Sequence, residues 1–175
     1  MTQLFLGSEG TLGVVTRATL KIHPIPEARK FHAFLFRDMH EAMIAGAGLM
    51  TSRLQPCVIR LYDVAETAKL IKRVLGIERE GAYLVFGFDG PENMVDLQMA
   101  NACAICAKTA MEDLGTDMGQ AWWDHRYKFF YPPYMFQLPQ AFGTLDTVAT
   151  FANIENVYNA MRDAVKNNFP EATFI

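Results

Sequence analysis

Residues 4–27 read LFLGSEGTLGVVTRATLKIHPIPE. Three glycines between Gly7 and Gly13 permit positive φ and close backbone approach to a ligand, and the Leu and Val runs on either side predict two strands. A loop of this kind can aim several N–H groups at a phosphate or a sugar. A tight turn between two buried strands would use the same glycine spacing. Pro24 and Pro26 then end any regular element, because each lacks a backbone donor and constrains its predecessor. A boundary is expected there, dividing residues 1–27 from residues 28–175.

Beyond the prolines, strand and helix signals alternate. KFHAFLF at 30–36 is an apolar run of strand length. Asp38 stands three residues before Glu41, a capping-box spacing, and Met39, Ala42, Met43, Gly46 and Met50 recur at helical intervals. CVIRLY at 57–62 predicts a second strand. Asp63 and Glu66 repeat the cap before a helix that Gly76 closes. AYLVFGF at 82–88 predicts a third strand, followed by a long helix with Leu97, Ala100, Ala104, Ala107, Met111 and Leu114 on one face. A short helix is expected around AWWDHRYKF, then irregular chain, a strand at 144–151, and a last helix capped by Asn153. The pattern predicts an α+β fold, a mostly antiparallel sheet covered by helices on one face, in a ferredoxin-like arrangement.

The 175 residues can bury about 70% of their unfolded surface. A net charge of −3 with scattered basic residues excludes a stripe able to follow phosphates, so no nucleic-acid partner is expected. No stretch reaches the roughly 18 apolar residues of a membrane span. Three cysteines cannot all pair internally, which fits a reducing compartment, and a cytoplasmic location is expected.

The complete string GSEGTLG followed by KIHPIP resembles the end of the FAD-binding domain in the FAD-linked oxidase family that holds vanillyl-alcohol oxidase, D-lactate dehydrogenases, glycolate oxidase subunits and alkylglycerone-phosphate synthase. The resemblance implies that Gly7, Ser8, Glu9, Gly10, Thr11, Leu12 and Gly13 contact FAD mainly through backbone groups. It implies that residues 1–27 are the tail of an FAD-binding domain and residues 28–175 an incomplete substrate or cap domain. The chain then reads as a piece of an FAD-dependent oxidoreductase acting on a small hydroxy acid or alcohol. A flavin-dependent transferase, and a module that binds no cofactor when isolated, are the competing readings. Lone apolar strands in the first 27 residues would favour self-association.

Four side chains are candidates for the substrate. Period two places Ile59 and Leu61 on one face of the second strand and Arg60 and Tyr62 on the other. In the resembled family this RLYD segment belongs to the cap sheet whose exposed face closes over the flavin. Arg60 could pair there with a carboxylate or phosphate, or with a carboxylate at a domain interface. AWWDHRYKF resembles a W-x-x-x-R region of the family, which makes Arg126 and Lys128 candidates, while adjacent tryptophans also serve burial alone. Tyr134 is the fourth. Alkylglycerone-phosphate synthases carry a PYLRD-like stretch with an active-site arginine, and this chain has Phe136 at that place, which weakens the transferase reading. Cys103 and Cys106 have helical spacing, and no second pair supplies a tetrahedral metal site, so core packing is expected and no metal. No nucleophile elbow or phosphate-binding P-loop occurs.

Overall fold

A computed structural model of the chain describes residues 2–128 and 146–172. After a short helix α1 (Thr2–Phe5), the elements are β1 (Ala28–Phe36), α2 (Met39–Thr51), β2 (Val58–Tyr62) and α3 (Val64–Glu66). A π-helical stretch, Thr67–Ile71, joins α3 to α4 (Lys72–Leu75). Then come β3 (Ala82–Gly90), α5 (Glu92–Cys106), β4 (Glu112–Leu114), α6 (Gly115–His125) and α7 (Ile154–Asn168). The sheet order is β2-β3-β1-β4 and every pairing is antiparallel. This is the split βαβ order of ferredoxin-like folds, with an additional helical segment between β2 and β3.

The caps form as their spacing dictates. Asp38 accepts from the Glu41 N–H at 3.0 Å and Asp63 from the Glu66 N–H at 2.7 Å, so each aspartate satisfies a donor that its helix leaves unpaired. Gly76, at φ 71°, closes α4 in the left-handed conformation.

Helices cover both faces of the sheet rather than one. Phe34, Phe36, Leu84, Phe86 and Phe88 pack against α2 and α5 on the first face. Ala33, Leu35, Tyr62, Tyr83 and Val85 pack against Ile71, Ile77 and Trp122 on the second. The central strands β1 and β3 are apolar on both sides, so each face needs a cover. Tyr62, expected to look outward with Arg60, is therefore only 1% exposed.

Three further expectations are corrected. The helix after β3 stops at Cys106, and Met111 and Leu114 are not on it. Residues 112–114 instead pair with β1, where they satisfy edge groups that a longer helix would leave open. The buried face of α5 is Val95, Met99, Ala102 and Cys106, whereas Leu97 is 58% exposed. Residues 14–27 and 146–150 form no strand, because a period-two pattern becomes a strand only against a partner and none of the described strands pairs with them. Val14 and Ile25 are accordingly 89% and 94% exposed. No helix among the described residues is long and apolar enough to cross a membrane.

Candidate functional site

Two places hold the residues that the sequence singles out. The first is the loop at Gly7–Gly13. The Thr11 N–H donates to the Ser8 carbonyl at 2.9 Å, and the two residues between, Glu9 and Gly10, have φ of 48° and 82°. Positive φ at both central positions is the type I′ pattern. The Thr11 hydroxyl also donates to the Ser8 carbonyl, and the Ser8 hydroxyl donates to the Phe5 carbonyl, so both side chains brace the turn. Among the described residues, the N–H groups of Glu9, Gly10, Leu12 and Gly13 have no acceptor within the chain. A methyl group at Gly7 or Gly10 would meet nothing within 4 Å. Glycine is required there by backbone conformation and not by crowding. Outward donors on a braced turn suit the phosphate and ribose oxygens of a dinucleotide.

The second place is the end of the sheet's second face where β1 begins and β3 ends. Phe31 pairs with Gly87 across the strands, and its ring lies over that glycine. A methyl group at Gly87 would come within 2.3 Å of the ring. Trp123 of α6 stacks on Phe31 with ring centroids 4.6 Å apart. The Arg126 guanidinium lies 3.6 Å from the Trp123 ring and 4.3 Å from that of Tyr127, and it donates to the Trp123 carbonyl. Arg29 stands 5.2 Å from the same indole and donates twice to Asp89, at 2.8 and 3.1 Å. A cation held between aromatic faces keeps its charge while losing rotamer freedom in advance of any ligand.

Arg60 projects from β2 on this same face, one row along the sheet from Phe31, and its guanidinium lies 5.4 Å from the Tyr62 ring. Tyr62 in turn accepts the buried Trp122 indole N–H at 2.9 Å. Glu66 follows one turn into the helix beyond. Burial pushes its carboxyl up to about 7, Asp63 adds to the rise, and Arg60 opposes it. The structure therefore brings Arg60 and Arg126 to one face. Lys128 is exposed just past α6, and Tyr134 and Phe136 lie outside the described residues.

The sequence reading missed Arg29, Glu66 and the role of Gly87. Arg29 has the same parity as Phe31 along β1, the signal that would have placed it on this face. Cys103 and Cys106 pack along α5, and burial pushes their thiols up to about 11 and 12, far from the thiolate a redox pair needs. His125 bonds through Nδ1 to the Ala121 carbonyl at 2.9 Å, inside its own helix. His23 lines an open cleft of about 940 Å³ with Ile25, Glu27, Arg29 and Asp89, where the leading segment meets the sheet.

Comparison with known proteins gives the family. Residues 25–174 match the family described as FAD linked oxidases, C-terminal domain. The alkyldihydroxyacetonephosphate synthase of Dictyostelium discoideum is 26% identical over 96% of this chain and 31% of its own length. Glycolate oxidase subunit GlcD of Bacillus subtilis (strain 168) is 32% identical over 62% of this chain and 23% of its own. A solved alkyldihydroxyacetonephosphate synthase superposes with a TM-score of 0.74 and 28% identity, covering 97% of this chain and 35% of that one. The chain thus spans about a third of the synthases it matches.

Proposed function

Because the chain belongs to the FAD linked oxidases through their C-terminal domain, we propose that residues 1–27 finish an FAD-binding domain and residues 28–175 form part of the cap that holds the substrate against the flavin. The whole protein then oxidises a hydroxy acid or alcohol. When bound, FAD would supply the hydride acceptor for a carbon bearing the hydroxyl. Gly7, Ser8, Gly10, Thr11, Leu12 and Gly13 hold the dinucleotide through backbone groups, and Glu9 accepts from a ribose hydroxyl. Arg60 and Arg126 bind the anionic end of the substrate, with Lys128 and Tyr134 beside them. The aromatic stack of Phe31 and Trp123 fixes Arg126 so that its charge is set before binding, and the apolar face keeps water from the reacting carbon.

The observation that supports this reading is that Arg60 of β2 and the clamped Arg126 after α6 lie on the same side of the sheet. It is tested with the flavin-loaded protein that contains this chain, mixed without oxygen with small hydroxy acids and alcohols. Loss of the oxidised flavin band with formation of the carbonyl product is expected, and Arg60→Ala raises KM for acids more than for alcohols. A flavin band unchanged by every such compound would overturn the proposal. The synthase matches favour a second reading, in which an alkyl group is joined to a phosphate ester. Product formation with no net change in the flavin band would select it. The 175-residue chain alone, mixed with FAD and freed of excess, is expected to stay colourless, because one loop supplies too few contacts to offset the ordering of so large a ligand.

A further inference from the structure

Helix α7 has no fully buried residue. Two polar contacts tie it to helix N-termini. His40, the second residue of α2, contacts both carboxylate oxygens of Glu155 at 2.8 Å. Three residues on, and so on the same face of α7, the Tyr158 hydroxyl donates to Asp63 Oδ2 at 2.7 Å. The other oxygen of Asp63 caps α3 by accepting from the Glu66 N–H. Asp63 is buried and directly follows Tyr62 at the end of β2. A small hollow beside these contacts is lined by Met39, Asn159 and Arg162.

We propose that α7 is a proton-controlled clasp. With His40 protonated it closes across the N-termini of α2 and α3. With His40 neutral it loosens, and through Tyr158 and Asp63 it releases the corner that follows Arg60. Among the described residues, the charged groups facing His40 are Glu155 from α7 and Asp38 and Glu41 from its own helix, with Arg162 across the hollow. Arg37 is drawn off to Asp38 and Glu41. The hydrogen bond that His40 donates to Glu155, then the charges of Glu155, Asp38 and Glu41, raise the His40 pKa above its ordinary 6.5. The stabilisation is therefore complete below 6.5 and is lost as pH rises through the raised value. Tyr158, pushed up to about 12 by burial and by its bond to Asp63, donates throughout this range. Glu66 titrates near 7 on the far side of Asp63, so Glu66→Gln is the control that removes it.

The test is amide hydrogen exchange of residues 154–168, corrected for intrinsic rates, on the 175-residue chain from about pH 5.5 to about pH 8.5. Opening of α7 is expected to be roughly two- to fivefold more frequent at the alkaline end, the range that exposed ion pairs reach. His40→Gln and molar salt each flatten the profile. Glu66→Gln keeps it, and Tyr158→Phe raises exchange at every pH without changing the slope. A flat profile in the unmodified chain, or a slope that survives His40→Gln, would overturn the proposal.

Discussion

Replacing Gly119 by Ala separates two opposed effects by sign. Gly119 lies in the middle of α6, where alanine favours the helix by about 1 kcal/mol over glycine. If α6 merely rested on solvent or soft side chains, the variant would be more stable than the parent. The methyl group would instead stand 2.5 Å from the His32 backbone nitrogen and 2.7 Å from His32 Cα and Phe31 C. These are backbone atoms of β1, paired to β3 beyond, and they cannot rotate away as a side-chain tip would. Ordinary contact requires α6 to rise by about 1 Å, and a gap of that size forfeits a quarter to a half of the dispersion attraction across it. The contacts at stake are the Trp122 indole seated on Tyr62 and the Phe31–Trp123 stack. Overpacking of this kind costs about 1 to 3 kcal/mol and more where the neighbour is rigid. Taking the upper figure of about 3 kcal/mol because the neighbour is backbone, and subtracting the helix gain, a net loss of about 2 kcal/mol is expected, a fall of roughly 4 to 8 °C in Tm for a chain of this size. Thermal unfolding followed in the near-ultraviolet reads both the midpoint and the tryptophan environment. A Gly119→Ala chain as stable as the parent, with an unchanged tryptophan signal, would refute the claimed approach of helix to strand.

Two other outcomes rest on the same face. Tyr62→Phe removes the acceptor of the buried Trp122 N–H and should cost about 1 to 3 kcal/mol, seen as a lower urea midpoint at unchanged m. Glu66 holds its proton up to about 7 when folded but only to 4.5 when unfolded, so the folded chain binds the extra proton in that window and loses stability as pH rises through it. Glu66→Gln should therefore stabilise the chain above about pH 7 and not below about pH 4.5 in urea titrations, and equal effects at both ends would contradict the raised value.

Strands β1, β2 and β3 and the caps at Asp38 and Asp63 are legible because their signals are local. Asp38 and Asp63 each meet the N–H three residues on, and that geometry depends on nothing outside one helical turn. Errors arose where the outcome depends on partners. Residues 14–27 and 146–150 carry strand composition but pair with no described strand. Residues 112–114 carry weak strand composition and pair because the edge of β1 is open. Helix α5 is apolar around much of its circumference, so periodicity pointed to Leu97 while the sheet selected Val95 and Met99. The second helical layer was invisible for a related reason. Tyr62 reads as an outward aromatic residue until Trp122 and Ile71 are known to cover its face.

That second layer changes what the face can do. Arg60 itself is exposed on β2, and an exposed charge gains little over water by pairing with an anion. Helix α6 covers the same face as far as Phe31, which is only 2% exposed beneath Trp123, with Arg29 beside the indole. Gly87 and Gly119 make this arrangement fit: one lets the Phe31 ring lie flat on β3, and the other lets α6 approach β1 closely enough to stack Trp123 on that ring. Arg126 is oriented by the resulting stack, and its position follows from two missing methyl groups, one on β3 and one earlier in α6. A change at either glycine should therefore move Arg126 without touching it, and a substrate anion would register the shift as a weaker KM with the chemistry of the reacting carbon unaltered.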